Sequence, residues 1–441
     1  MNAPLAIMDW STLDESQRRE ALRRPAQRDT DAIRARVAGI VADVRARGDA
    51  ALHDYTADLD RVRLESFAVT EQEFAAAEAS LTSPQLAALR RAIATVTRFH
   101  AAQVPTPLQI ETAPGVTCER IVVPLEAVGL YVPAGTAPLP STAVMLAVPA
   151  RIAGCSVRVM CTPPRPDGCA DPAVLTAARL CGITQVFKLG GAQAVAAMAY
   201  GTRSVPKVDR IFGPGNAWVT AAKQLVAADA DGAALDMPAG PSEVLVIADD
   251  SARPEFIAAD LLAQAEHSED AQVVLVTTSP ALARECSAAV GRQMAALPRR
   301  NIVEKSIAAS RAFVVADLAT AFELSNRYAP EHLILHVREP RGWLGRVRHA
   351  GSVFLGAWTP ETMGDYCSGT NPVLPTYGHA RAYSGLGVPD FVKRITVQEA
   401  TPAGLADLGL TARTLARLES LDAHANAVTV RLEAIARGAA S

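Results

Sequence analysis

The feature that most constrains this 441-residue chain is an alternation, sustained from about residue 121 onward, of short β-branched runs with Ala-rich amphipathic stretches. "AVGLYVP", "SVRVMCTPP", "TQVFKLGG" and "KVDRIFGPG" each end in Gly or Pro and lead into a helical pattern. Parallel strands cannot be joined by a tight turn and need a crossover, usually a helix, so the alternation predicts βαβ units and a parallel sheet. After Pro241 the pattern restarts: "SEVLVIADD", "AQVVLVTTSP", "RAFVVADL", "EHLILHV" and "GSVFLG" read as strands, with helices such as 254–267 between them. "GCSVRVMCTPP" and "DAQVVLVTTSP" share a pattern, each strand closing in Thr and Pro, which hints at two related halves. The expected class is therefore α/β, with two Rossmann-like open parallel-sheet domains and small helical N- and C-terminal segments.

Residues 1 to about 100 read as helical. Ile33, Val37, Ile40, Val41 and Val44 recur at the spacing of one helix face, and Gly48 stops the run. Leu86, Leu89, Ile93 and Val96 repeat the style, and beyond about residue 387 the chain returns to helix. At 49% hydrophobic and 20% charged residues, the chain has enough apolar material for well-packed cores. A net charge of -3 with interspersed signs offers no basic stripe for a phosphate backbone, so nucleic acid is not an expected partner. Apolar stretches such as 128–150 are broken by Pro133, Pro138, Pro140 and Pro149, leaving no membrane span. With no signal-peptide pattern at the start, a cytoplasmic location is expected. Seven cysteines without a C-x-x-C pair argue against a disulfide framework or a thiolate zinc site, and reduced thiols are expected.

Several residues stand out chemically. Gln264 and His267, three apart at the end of a helical pattern, are placed to share one ion or ligand, or else are surface polar residues at a helix terminus. Asp365 lies in a Gly-rich loop, and Glu419 and His424 lie five apart on a helical pattern. Two imidazoles, a carboxylate and an amide oxygen would suit Zn²⁺ or Mn²⁺, although spacing alone cannot bring them together. Glu331 and His332 are adjacent before a buried-strand pattern. Strand neighbours face opposite ways, but a turn at Pro330 would let both reach one cleft, where a histidine serves as base and a glutamate activates water. The alternative is a solvated glutamate beside a hydrogen-bonded core histidine. "YVPAGTAPLPST", "KLGGAQAVAAMAYGT" and "FGPGNAWVTAAK" each end a strand and open a helix, where N–H groups can receive a phosphate; none is a G-x-G-x-x-G fingerprint.

Taken in order, "LYVPAGTAPLPSTAVMLA", "KLGGAQAVAAMAYGT", "FGPGNAWVTAAK", "AGPSEVLVIAD", "LLAQAEH", "YAPEHL", "GDYCSGTN" and "LDAHANAV" resemble the L-histidinol dehydrogenase family, over about residues 30 to 430. The resemblance implies a zinc-dependent, NAD⁺-linked oxidation of L-histidinol to the aldehyde and then to L-histidine, two NAD⁺ per product. It implies Gln264, His267, Asp365 and His424 as zinc ligands, His332 as the base for the hydroxyl proton, and Glu331 as the activator of water. Ser242 and Glu419 would join the ligand residues and His332 around the substrate, and Tyr131, Gln193 and Asn216 match positions that touch NAD⁺. The family is a homodimer with intertwined terminal segments, so His424 and Glu419 would reach the partner's site.

On this reading residues 1–26 are an N-terminal helical segment, and 27–130 with 243–386 are the first Rossmann-like domain, carrying a helical lead-in, the catalytic loop and the metal-ligand helix. Residues 131–242 are the second, NAD-binding domain, and 387–441 a C-terminal helical dimerisation segment. One departure concerns the family's loop, which usually reads "GTNHVLPT": Pro372 stands where a histidine is expected, putting imidazole recognition in question. Other readings are a relative acting on another small polar alcohol such as a sulfonated diol, and a metal-dependent hydrolase working through Glu331 and metal-bound water. A dead metal-binding module and a thiol mechanism through Cys155 or Cys367 are further alternatives.

Overall fold

The computed structural model describes residues 4–25, 30–134, 137–238 and 240–438. By contact density the chain divides into two compact units, one of Met1–Gln103 with Leu125–Asp390, the other of Val104–Pro124 with Phe391–Ser441.

The first unit holds two parallel sheets. The larger comprises β1 (Ala6–Asp9), β9 (Glu243–Ala248), β10 (Gln272–Thr277), β11 (Arg311–Val314), β12 (His332–His336) and β13 (Ser352–Leu355), in the order β1-β11-β10-β9-β12-β13. The smaller comprises β4 (Ala127–Tyr131), β5 (Val157–Thr162), β6 (Gln185–Lys188), β7 (Arg210–Phe212) and β8 (Ala234–Leu235), in the order β6-β5-β4-β7-β8. If strands are counted from the first of each set, β4 to β8 and β9 to β13 follow one and the same order, 3-2-1-4-5, a Rossmann-like half. The two strands that close in Thr and Pro, β5 and β10, hold the same second place in their sheets. The expected class holds, and the larger sheet gains at its edge a strand that the sequence reading took for helix, β1 against β11.

Burial explains why the strands read as continuous apolar runs. β9, β10 and β12 are buried along their whole lengths, because helices cover both faces of a parallel sheet. Each aliphatic side chain taken out of water there stabilises the fold by roughly 1.5–3 kcal/mol. The helix face predicted from Val37, Ile40, Val41 and Val44 is buried too. It packs with residues of the smaller sheet and its helices, including Phe187, Val195 and Val219. Gly48 adopts φ +55 between helices Thr30–Arg47 and Asp49–Leu59, which is why the run stops there.

The second unit is built on an antiparallel sheet of β2 (Leu108–Ala113), β3 (Val116–Pro124) and β14 (Val392–Ala400), with helices Pro402–Leu418 and Asp422–Ala436 packed on each other. Its strands are largely exposed or half-buried and carry mixed polar residues, so the sequence showed only the helices. The C-terminal segment is therefore strand and helix rather than helix alone. Among the described residues no helix is long and apolar enough to cross a membrane. All seven cysteines remain thiols, four of them buried.

Candidate active site

At the amino ends of β9 and β12 the chain gathers an unusual density of buried polar groups. Helix Leu318–Tyr328 ends in Ala329, whose left-handed φ of +55 turns the chain through Pro330 into β12. The turn puts both members of the adjacent acid–base pair in one pocket: Glu331 Oε2 lies 3.6 Å from His332 Nδ1, and the two residues are only 6% and 4% exposed. The solvated glutamate is thereby ruled out. His332 Nδ1 also lies 3.1 Å from the Glu243 carbonyl. A carbonyl can only accept, so Nδ1 carries the hydrogen, and Nε2 is directed at Asp365 Oδ1, 3.4 Å away. Neither of these two buried atoms makes a hydrogen bond.

Asp365 comes from the short helix Glu361–Tyr366, and Glu361, one turn earlier, points to the same place. Glu361 is 1% exposed, and its Oε1 is 3.9 Å from His332 Nδ1. Gln264, fully buried in helix Pro254–Ala265, has its amide oriented by these neighbours: its nitrogen donates to Glu361, and its oxygen accepts from the Glu243 N–H at 3.0 Å. The same N–H donates to Glu331 Oε2 at 2.8 Å. Ser242 immediately precedes Glu243 and is half-buried.

Three carboxyl groups around one imidazole make a strongly coupled set. Burial pushes Glu331 up to about 8, with the imidazole opposing. Glu361 is likewise raised well above the ordinary carboxyl range, again chiefly by burial. Burial alone would lower His332, but Glu361, Glu331 and Asp365 together raise it well above the usual histidine range. This crowding of carboxyl groups around one imidazole, with an unsatisfied Asp365 oxygen and ring nitrogen side by side, is an environment that suits a divalent cation. Among the described residues, His332, Glu361 and Asp365 form a group whose candidate ligand atoms lie within 4.8 Å of one another.

That group shares only Asp365 with the ligand set expected from sequence. Gln264 abuts it through Glu361. His267 is exposed just beyond the end of Gln264's helix. Its Nδ1 meets the Ala263 carbonyl at 3.1 Å, leaving Nε2 as the outward-facing nitrogen, an arrangement common to metal-binding histidines. Glu419 and His424 belong to the second unit and are exposed there. Sequence reasoning missed Glu361 and Glu243. The i,i+4 spacing of Glu361 and Asp365 was the available signal for the first; nothing local marks the second.

The site does not lie at the usual end of its sheet. Open α/β sheets usually bind ligands beyond the carboxyl ends of their strands. Here Glu243, Glu331 and His332 sit at the amino ends, where the carboxyl end of helix Pro254–Ala265 delivers Gln264. In the smaller sheet the residues expected at NAD⁺ lie toward the carboxyl ends of the strands. Tyr131 closes β4, Gln193 lies in the first turn of the helix after β6, and Asn216 caps the helix after β7, around the point where strand order reverses. Gly213 (φ +123) is required in that crevice, because a Cβ there would collide with the Tyr131 carbonyl. The Tyr131 hydroxyl accepts from the Gly191 N–H at 3.0 Å. Gln193 Nε2 donates to Asp60 Oδ2 at 3.3 Å, while its buried Oε1 has no hydrogen-bond partner. Asp60, which the sequence reading passed over, is pushed up to about 6 by burial. An unfilled acceptor beside a desolvated carboxylate fits a ligand rich in hydroxyl and amide donors, as a dinucleotide is.

Comparison with known proteins gives one consistent result. The histidinol dehydrogenase family profile matches residues 22–432. The histidinol dehydrogenase of Xanthomonas axonopodis pv. citri (strain 306) is 58% identical over 428 residues, covering 97% of this chain and 99% of that protein. That of Xylella fastidiosa (strain 9a5c) is 57% identical over 429 residues, with 97% and 99% covered. The crystal structure of histidinol dehydrogenase from Elizabethkingia anophelis superposes with a TM-score of 0.94 at 42% identity, covering 99% of each chain.

Proposed function

The chain belongs to the histidinol dehydrogenase family, and from that premise we propose that it oxidises L-histidinol through the aldehyde to L-histidine with two NAD⁺, closing histidine biosynthesis. The observation that carries the reading is the buried meeting of His332, Glu331, Asp365 and Gln264 in one pocket. A four-electron oxidation at one carbon needs a base for the alcohol and an activator for water, and adjacent buried groups of unlike type supply both.

In the first step His332 Nε2 takes the hydroxyl proton while the carbon gives up hydride to NAD⁺. The Glu243 carbonyl holds the imidazole in the tautomer that leaves Nε2 free for this. In the second step Glu331 takes a proton from the water that adds to the aldehyde, and the hydrate loses hydride to the second NAD⁺. The Glu243 N–H fixes Glu331's orientation without quenching its other oxygen. Burial of both groups keeps bulk water from the intermediate.

The family implies a metal, and we assign it as Zn²⁺, held by Gln264, His267 and Asp365 with His424 of a second subunit, a borderline donor set of amide, imidazole and carboxylate. When bound, the ion would grip the substrate's imidazole and amino nitrogens and offset the carboxylates that hold His332 protonated. Ser242 and Glu419 complete the substrate's surroundings. We assign 131–242, with Tyr131, Gln193 and Asn216, to NAD⁺, and 27–130 with 243–386 to the catalytic domain, flanked by terminal segments 1–26 and 387–441. A homodimer with shared sites is supported by the exposed apolar side chains of the unit that carries Glu419 and His424, Leu418 at 76% among them. A cytoplasmic location is supported by the seven thiols.

The test is NADH formation from L-histidinol, two per substrate, with and without a strong chelator. Loss on chelation and recovery with Zn²⁺ are expected. Turnover without NAD⁺ would instead favour the hydrolase, and turnover indifferent to chelation would remove the metal from the account.

A further inference from the structure

Glu243 is a buried acid, 1% exposed, that opens β9 and contacts three of the groups the proposed chemistry uses. Its N–H serves Glu331 Oε2 at 2.8 Å and the Gln264 oxygen at 3.0 Å, and its carbonyl orients His332 Nδ1 at 3.1 Å. The backbone of one residue therefore sets three side chains. Its own carboxylate in turn takes the Tyr377 N–H at 3.0 Å, fixing the far end of the segment that follows helix Glu361–Tyr366. Tyr377 sits at φ +59, a left-handed conformation that a non-glycine residue holds only when its surroundings impose it.

The rest of that carboxylate is engaged by Arg24, from the short stretch after the first helix. Its guanidinium makes a forked pair, Nε to Oε1 and Nη2 to Oε2 at 2.9 Å. Nη2 also donates to the Tyr328 carbonyl at 2.9 Å, in the last turn before Ala329, Pro330 and Glu331. The guanidinium carbon Cζ lies over the Tyr328 ring, 4.0 Å from its centroid. Arg24 therefore ties β9 and the turn that feeds β12 to a single planar group. A buried ion pair is a poor way to gain stability, because desolvating both charges offsets most of their attraction. A forked, planar one is a good way to fix orientation.

We propose that Arg24 is a positioning residue for the catalytic pair, acting through Glu243: its forked contact fixes the Glu243 backbone, whose N–H and carbonyl set the facing of Glu331, His332 and Gln264. Among the described residues, Arg24 makes its hydrogen bonds to Glu243 and to the Tyr328 and Ala329 carbonyls, and none to these three side chains. The inference rests on the proposed dehydrogenase reading, and wild-type NADH formation from L-histidinol is measured first; its absence would sink that reading, whereas the variants below bear on Arg24 alone.

Arg24→Ala is expected to lower kcat about 100-fold, as misplacement of reacting groups by ~1 Å does, while KM for L-histidinol changes less than about threefold. Guanidinium ion at ~10 mM should restore roughly tenfold of that loss, because it can refill the fork. Arg24→Lys, which keeps the charge without the fork, should lose about tenfold in kcat with its melting temperature near wild type; it stands alone as the test should Arg24→Ala not fold. A kcat within threefold of wild type in Arg24→Lys overturns the proposal. So does a loss in Arg24→Ala that guanidinium does not relieve.

Discussion

Glu331→Gln makes a demanding test of the site, because the same change should stabilise the metal-free protein and disable it. An unfolded glutamate titrates near its ordinary 4.5, whereas burial lifts Glu331 to about 8 in the folded chain. Between those values the unfolded chain has released the proton and the folded chain still holds it. Wild-type stability therefore falls as pH rises through this window, by about 1.4 kcal/mol per pH unit and by up to about 5 kcal/mol in all, and is level above it. Glutamine does not ionise and escapes the loss. Its carbonyl oxygen still accepts the Glu243 N–H that Oε2 accepts at 2.8 Å, so the local geometry is kept. Any fixed cost of the new amide donors shifts the comparison by a constant and leaves the slope untouched.

The assay is urea unfolding of chelator-treated wild type and Glu331→Gln at pH 5, 6, 7, 8 and 9. The stability difference in favour of the variant should grow by about 1.4 kcal/mol per unit up to pH 8 and then flatten. Adding Zn²⁺ should shrink it, since a cation near Asp365 lowers the carboxyl's tendency to keep its proton. A pH-independent difference, or one that grows in the wild type's favour, would refute the account of a buried, proton-retaining carboxyl. In turnover, NADH formation from L-histidinal should fall roughly 10²–10⁴-fold, the usual contribution of a positioned base.

Other outcomes follow from the same structure. Mixing His332→Ala and His424→Ala subunits should recover about a quarter of wild-type activity, since half of a statistical mixture is heterodimer with one intact site; no recovery in an exchanged mixture would count against shared sites. Pro372→His should lower KM for L-histidinol several-fold with kcat little changed, consistent with a loop held by Asn371 through the Met145 carbonyl at 2.8 Å; an unaltered KM would dismiss the position. Lys223→Met should cost about 3–5 kcal/mol in urea unfolding, because it strands Asp236, 8% exposed, without its buried partner; a cost below about 1 kcal/mol would show the pair to be ornamental.

What the sequence determined by itself was periodicity and order. Runs such as "VVLVT" and "LILH" are apolar throughout because both faces of a parallel sheet are covered, and the glycines and prolines after them mark where the chain must turn. Nine of the strands could therefore be read, and with them the doubly repeated α/β plan. The strands of the antiparallel sheet could not. β14 is exposed along almost its entire length, and a strand without a buried face carries little pattern. The eight ordered motifs named the family and, through it, Glu331, His332, Gln264 and Asp365.

Tertiary structure alone decided how those residues are held. That Glu331 and His332 face one pocket depends on a left-handed Ala329. The role of Glu243 depends on β9 lying beside β12, and that of Arg24 on contacts across 219 residues. Local sequence records which groups a chain owns and how its backbone prefers to run. Hydrogen-bond partners far apart in sequence, and the desolvation that sets proton affinities, exist only once distant segments have packed.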